Sequence, residues 1–278
     1  MFLCLALLAG GLWAADLDRA REYYQRTGYK QALAILRPDA SSDPETLLLA
    51  GKSAFMLGDL KKSEGYLRAA IRLAPKSEYF HWYGKVLGRR AETASFFTAP
   101  KLAVDCRKAF ERAVELDPSN VEAWNDLFEY HLEAPGFLGG GLDKAARTAV
   151  KIGELDKAEE QYAESRLAEK RKDFSRAEQH LRRAAELAPN QLGRIVDLAK
   201  FFARRGRLAE RDAMFQKAQG ISPNHPKLLF ERAQAYAAEK RNLDEARTLL
   251  RLYLKADLTP DDPPRDEAER LLRALSGA

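Results

Sequence analysis

The hexads AAELAP (184–189) and AQGISP (218–223) close on prolines 34 residues apart, and AIRLAP (70–75) and AVELDP (113–118) repeat the same Ala-x-x-(Leu/Ile)-x-Pro pattern upstream. The remaining proline gaps, 43 and 71 residues, are close to one and two such steps. A period near 34 residues marks a stacked array of helical hairpins in place of one closed core. Each step reads as helix A, a short turn, helix B and a Pro. The small Ala of helix B lets helices approach closely, and the apolar residue three positions before it fills the gap between hairpins. The Pro stops helix B because its ring clashes with a carbonyl one turn back.

Composition agrees with this reading. A chain of 278 residues, 46% apolar and 31% charged, can bury ample core, and 9% aromatic content is too high for a disordered chain. Ala, Leu, Arg, Glu and Lys dominate, and no stretch of useful length alternates as a strand. The net charge of +5 is uneven: residues 161–220 hold 14 Lys/Arg against 8 Asp/Glu. That surplus is either a set of solvated helix faces or a basic surface for an acidic partner. Nucleic acid is not expected, because Glu164, Glu169, Asp173 and Glu178 interrupt the basic residues and no nucleic-acid motif accompanies them.

Residues 1–15, MFLCLALLAGGLWAA, carry no charged side chain. The run is short for a membrane span and fits the apolar region of a secretory signal cleaved near Ala14 or Ala15. No Lys or Arg precedes it, so the true start is open to lying upstream of Met1, and Leu12 and Trp13 spoil the small-x-small pattern. Export to the periplasm or beyond is the expectation. An uncleaved anchor or a buried first helix is the alternative, and without export the chain would act in the cytoplasm. Cleavage would leave Cys106 alone, with no internal disulfide, at a position that calls for a small buried residue.

Several slots recur in register. Ala50-Gly51, Gly58, Leu67, Ala70 and Pro75 fill one unit, and Trp124 and Leu127 open another. Ala177, Leu181, Ala184 and Pro189 close a third. Leu198, Phe202, Gly206, Phe215, Ala218 and Pro223 make the next, and Tyr236, Ala246 and Leu250 the last. Upstream, Tyr23-Tyr24, Gly28 and Ala32 read as a degenerate first hairpin. This spacing resembles the tetratricopeptide repeat family, whose pattern runs W-x2-L-G-x2-Y, then A-x3-F, then P. The resemblance covers roughly residues 17–258. It implies an all-α, α-α superhelix: a solenoid of about six to seven hairpins over residues 16–258. Residues 259–278 follow as a Pro-rich turn and a capping helix with Ala268, Leu271, Leu272 and Leu275 on one face. Departures are Glu164-Ser165 in place of Leu-Gly, Arg211 in place of the helix-B Ala, and no Pro after Ile152, where irregular twist is expected. Asp43-Pro44, Ser119-Asn120, Asn190 and Asn224 are read as helix starts.

Two consecutive hairpins exceed the 34-residue step at their inner turns: AETASFFTAPK at 91–101 and EAPGFLGGG at 133–141. The Ala-Pro-Gly-x-x-Gly-Gly string is similar to one in bacterial tetratricopeptide proteins. Equivalent turns of stacked repeats share an edge, so Phe96, Phe97, Phe137 and Leu138 form either a hydrophobic contact edge for a partner or a plug folded back between the loops. Gly136–Gly141 lacks the Gly-Lys-Ser/Thr ending of a phosphate loop and runs into Leu142-Asp143, whose acid would repel phosphate.

The resemblance also implies a concave face lined by helix A, with the residue after the Gly slot pointing into it. Those residues are Lys52, Lys85, Glu129, Arg166, Lys200 and Gln234, extended by Arg89 and Arg204 one turn on and by His81, Asn125, Tyr162 and Phe230 one turn before. A basic groove of this kind suits an acidic peptide, with an ordinary solvated face as the alternative. The Lys/Asn set by which family members grip a C-terminal carboxylate is missing, because Glu129 stands where a second Asn would be needed.

The four histidines, at 81, 131, 180 and 225, form no metal-ligand spacing, and no nucleophile motif is present. No catalytic, metal or cofactor residue is assigned. The expectation is a non-enzymatic scaffold that binds another protein or peptide through the groove, the 91–101/133–141 edge, or both. A self-assembling module forming a homo-oligomer and a regulatory subunit docking to an enzyme are the alternatives. Replacing Ala184 by Phe is expected to clash at the helix–helix contact and to lower stability by roughly 1–3 kcal/mol. An unchanged melting temperature would show that the register is wrong.

Overall fold

The computed structural model describes the backbone of residues 4–276, with side chains from residue 15 onward. Of the apolar leader, residues 1–3 lie outside the described residues, and residues 4–14 are described as backbone alone. The chain divides into two compact units, Met1–Thr148 and Ala149–Ala278. The first holds α1 (Cys4–Gln25), α2 (Tyr29–Leu36), α3 (Pro44–Met56), α4 (Leu60–Leu73), α5 (Ser77–Thr93), α6 (Ala99–Leu116) and α7 (Val121–Glu133), with the start of α8 (Leu142–Leu155). The second continues from α8 into α9 (Lys157–Lys170), α10 (Phe174–Leu187), α11 (Leu192–Arg204), α12 (Leu208–Ile221), α13 (Pro226–Ala238), α14 (Leu243–Lys255) and α15 (Arg265–Ser276). Among the described residues there is no strand, and no helix is long and apolar enough to cross a membrane. The fold is the all-α array expected from the period: among the described residues α1–α2, α3–α4 and α5–α6 pair as hairpins in the first unit and α9–α10, α11–α12 and α13–α14 in the second, with α15 packed on α14.

The turns explain how the chain reverses. At 57–59, 171–173 and 205–207 the middle residue is left-handed: Gly58 (φ 77), Lys172 (φ 63) and Gly206 (φ 71). That conformation lets the next amide reach back to the helix just ended, as in Asp59 N to Ala54 O and Asp173 N to Ala168 O, both 2.9 Å. Asp59 and Asp173 then cap α4 and α10, accepting from the amides of Lys62 and Arg176. Of the starts read from sequence, Asp43 and Asn120 cap α3 and α7. The other two are displaced by one residue. Gln191, not Asn190, precedes α11 and makes no side-chain cap, and the His225 ring, not Asn224, accepts from Lys227 N at α13.

Packing rests on small residues. Ala70, Ala113, Ala184 and Ala218 are fully buried. A Cβ on Gly51 would lie 2.6 Å from the Leu67 side chain, and one on Gly84 would lie 2.5 Å from the Phe110 ring. Ser63 Oγ donates to Gly51 O at 2.7 Å and fastens α4 to α3 at the same level. At the C-terminus, Ala268 and Leu275 of α15 are buried against Leu250 and Tyr253, and Arg247 donates to Leu275 O at 2.9 Å.

The insertion at 91–101 is mostly helix, not loop. Helices α5 and α6 run 17 and 18 residues, whereas α3, α4 and α9–α14 run 13 or 14. Each member of the pair thus gains about one turn, leaving a short link over 94–98. Arg211, which replaces the helix-B Ala, is fully buried. Its guanidinium meets Asp212 at 2.8 Å and Glu239, between the rings of Phe215 and Tyr236.

Substituting Gly84 by Ala is expected to cost roughly 1–3 kcal/mol through the Phe110 clash. Gly65 to Ala, where a new Cβ meets nothing within 4 Å, is expected to stabilise by up to about 1 kcal/mol. Denaturant midpoints of the two variants check the contrast.

Candidate functional site

The link between α5 and α6 carries Phe96 and Phe97, whose rings stand edge to face at 5.8 Å and are 85% and 89% exposed. The second insertion is a 3-10 turn, Gly136–Leu138, followed by left-handed Gly139 and by Gly141 at φ 137. Tyr130 Oη donates to Leu138 O at 2.9 Å, and Gly140 packs so tightly that a Cβ there would fall 1.8 Å from Ala134 O. Gly139 lies against the Arg107 side chain, about two turns into α6. Phe137 nevertheless projects, at 83% exposure, while Leu138 is half-buried. The alternative in which these aromatics fold back as a plug is therefore corrected: the loop backbones are held, and all three phenyl rings face solvent. Lys144 Nζ is spent on Gly139 O at 2.8 Å, so the glycine turn offers no ammonium to a phosphate.

The helix-A positions do not form a bare basic stripe. Lys52 meets Glu78 Oε1 at 3.1 Å and lies over the rings of Tyr24 and Trp82. Arg89 pairs with Glu92, Lys200 with Glu231, and Arg204 with Glu169. Lys85 stands over the Trp82 ring at 4.4 Å. Asn125, Glu129 and Arg166 are half-buried, and each is already engaged with a neighbour. The Tyr162 ring is covered by the Arg194 guanidinium, and Gln234 is exposed. Two of the assigned residues present no face to a ligand. His81 is buried, with Nε2 2.7 Å from Asp126 Oδ2, and Phe230 is buried against Tyr253. Sequence reasoning passed over Trp82, which lies under both Lys52 and Lys85 and meets the Phe55 ring edge to face at 5.7 Å. Trp82 follows His81 directly, and its size was the available signal.

Two reactive side chains are silenced by burial. The Cys106 thiol is buried and pushed up to about 12, chiefly by desolvation with a contribution from Asp126. His131 is lowered to about 4, first by desolvation and then by Lys144, Arg107 and Arg147. Thr148 donates its hydroxyl to Lys144 O at 2.9 Å, so its oxygen accepts from His131 Nδ1 at 3.0 Å, which fixes the neutral tautomer. Among the described residues no three His, Cys, Asp or Glu groups gather as a metal site.

The tetratricopeptide repeat family model matches residues 16–78, the end of α1 through the start of α5. No curated protein matches the chain. Solved structures share its fold at low identity. A tetratricopeptide repeat protein of Parabacteroides merdae is 12% identical over 96% of this chain and 99% of its own, with a TM-score of 0.59. A thermophilic tetratricopeptide protein of Thermus thermophilus is 16% identical over 68% and 98%, with a TM-score of 0.56. The Cut9–Hcn1 hetero-tetramer of the APC/C offers a chain 14% identical over 92% of this one and 48% of its own, at a TM-score of 0.50. Repeat arrays of this class generally mediate contacts between proteins.

His131 has a testable consequence. Its pKa is lower in the fold than the ordinary 6.5, so the unfolded chain takes up the proton first. Its contribution is complete above about pH 6.5 and is lost as pH falls towards about 4, by roughly 2–3 kcal/mol. Urea midpoints measured across that window are expected to fall, and the His131→Gln variant to flatten the part between pH 6.5 and 5.

Proposed function

We propose that this chain is a non-enzymatic, exported scaffold that holds a second protein. The observation that carries the reading is the exposure of Phe96, Phe97 and Phe137 on anchored turns. Rings of that size in water are a standing cost, which a partner surface relieves. The helix-A faces are the second candidate, through Lys52 and Lys85 in the first unit and Arg166, Lys200, Arg204 and Gln234 in the second. Their ion pairs reduce the field available to an acidic peptide, so the loop edge is favoured. The uncharged apolar run at 1–15 supports export, and a partner in the periplasm or envelope follows from it. A structural neighbour that works inside an assembly, a chain of the Cut9–Hcn1 hetero-tetramer, supports partner binding as a use of the fold.

The test is affinity capture from envelope extract with residues 16–278 as bait, beside two variant baits. One carries Phe96→Ser, Phe97→Ser and Phe137→Ser, and the other Lys85→Glu, Arg166→Glu and Lys200→Glu. The expected outcome is a partner retained by the original and the charge-reversed bait and lost by the serine bait. Loss with the charge-reversed bait alone would move recognition to the helix-A face. No partner, together with a concentration-dependent mass in light scattering, would replace the scaffold reading with self-assembly.

A further inference from the structure

An open depression of about 670 Å³ lies between the α3–α4 turn and the α5–α6 link, both in the first unit. Its volume is in the range of sites that take side chains or small ligands. Leu60 and Leu102 are half-buried in its wall, and Phe97 stands at its rim. Lys61, Arg90 and Lys101 also line it, against one carboxylate, Asp59. That carboxylate is occupied, accepting from Lys62 N as the cap of α4.

The three cations differ in availability. Arg90 reaches Glu64, and Lys101 meets Asp105 at 2.8 Å. Lys61 is exposed and has no ion pair among the described residues. The N-terminal ends of α4 and α6 both open on the depression, and their aligned peptide dipoles add positive potential at the same place. Thr98 precedes α6 without a side-chain cap, because its hydroxyl is turned to Ser95. An apolar wall, an exposed aromatic lip and the cations of Lys61 and Lys101 beside two helix N-termini complement one kind of occupant.

We propose that this depression binds an acidic peptide segment of a partner protein. One apolar side chain of the segment would lodge between Leu60, Phe97 and Leu102, and its flanking carboxylates would face Lys61 and Lys101. The proposal rests on the scaffold reading and names the chemistry of what that scaffold holds. It places recognition on the turn edge, away from the helix-A face. The extra turn of α5 and α6 raises the far wall that the shorter α3–α4 hairpin lacks.

Fluorescence anisotropy with residues 16–278 tests it. Three labelled peptides of equal length are used: alternating Asp and Leu, alternating Asp and Ser, and alternating Lys and Leu. The Asp/Leu peptide is expected to bind, more weakly at high salt, and the other two to bind at least roughly tenfold more weakly. Lys61→Glu and Lys101→Glu, both at exposed positions and each checked for an unchanged melting temperature, are expected to weaken binding about tenfold. Phe97→Ser is expected to do the same, while Lys217→Glu, exposed on α12 and in neither candidate surface, leaves affinity unchanged. Equal binding of the Asp/Ser peptide would mean a bare polyanion site and would overturn the proposal, as would affinity indifferent to Lys61 and Lys101. If peptide binding fails but the capture experiment still yields a partner lost with the serine bait, this site falls and the scaffold reading stands.

Discussion

The contacts of Gly51 with Leu67 and of Gly84 with Phe110 set the distance between helix A and helix B, and the remaining packing follows from that distance. At these points the chain has no room for a methyl group, so the facing side chain reaches the opposite backbone. Burial of Ala70 and Ala113, the small residues of helix B in the same two hairpins, then becomes a necessity of geometry. A wider gap would leave voids along each hairpin, and interiors tolerate voids poorly. The buried Arg211 is the exception that tests this rule. It occupies a small-residue slot only because Asp212 and Glu239 neutralise it and two aromatic rings flank it. A charge so enclosed specifies its neighbours more than it stabilises them.

Ion pairs link helix A of one repeat to helix A of the next. In the first unit, Lys52 joins Glu78, and Glu45 takes both Lys76 and the hydroxyl of Tyr79, which holds its carboxyl below the ordinary range. In the second, Glu159 and Glu169 meet Arg194 and Arg204, and Lys200 meets Glu231. Each exposed pair is worth little alone. Within each unit they convert what looks like a basic stripe in one dimension into a surface of alternating charge in three. An array has this constraint built in, because the face that could meet a ligand also stitches neighbouring repeats.

The fold was legible because its signal is periodic. Pro75, Pro118, Pro189 and Pro223 mark helix ends, and the Ala and Gly slots mark close contacts, so one register explains them all. Positions that depend on neighbours outside the register were not legible. Asn190 and Asn224 were displaced as caps by one residue, a scale at which backbone geometry decides. His81 and Phe230 followed the groove spacing yet turned inward, His81 to the Asp126 carboxylate and Phe230 to the buried Tyr253 ring. The exposure of Phe96, Phe97 and Phe137 was undecidable from sequence, since an aromatic loop that folds back and one that projects have the same composition. The depression beside Phe97 was invisible for the same reason: Lys61 and Lys101 come from different hairpins.

The overhang of α5 and α6 also separates two kinds of selection. Residues 94–98 sit beyond the level at which the neighbouring hairpins stack, so their side chains contribute little to the melting temperature. Mutation there escapes the purge that removes destabilising changes from the core. Such a tip can diverge at the pace of whatever it touches, while the glycine contacts beneath it remain under the slower constraint of folding. In comparisons among close relatives, the length and composition of this tip would therefore report a change of ligand, and drift at Gly84 or Phe110 would report loss of the protein.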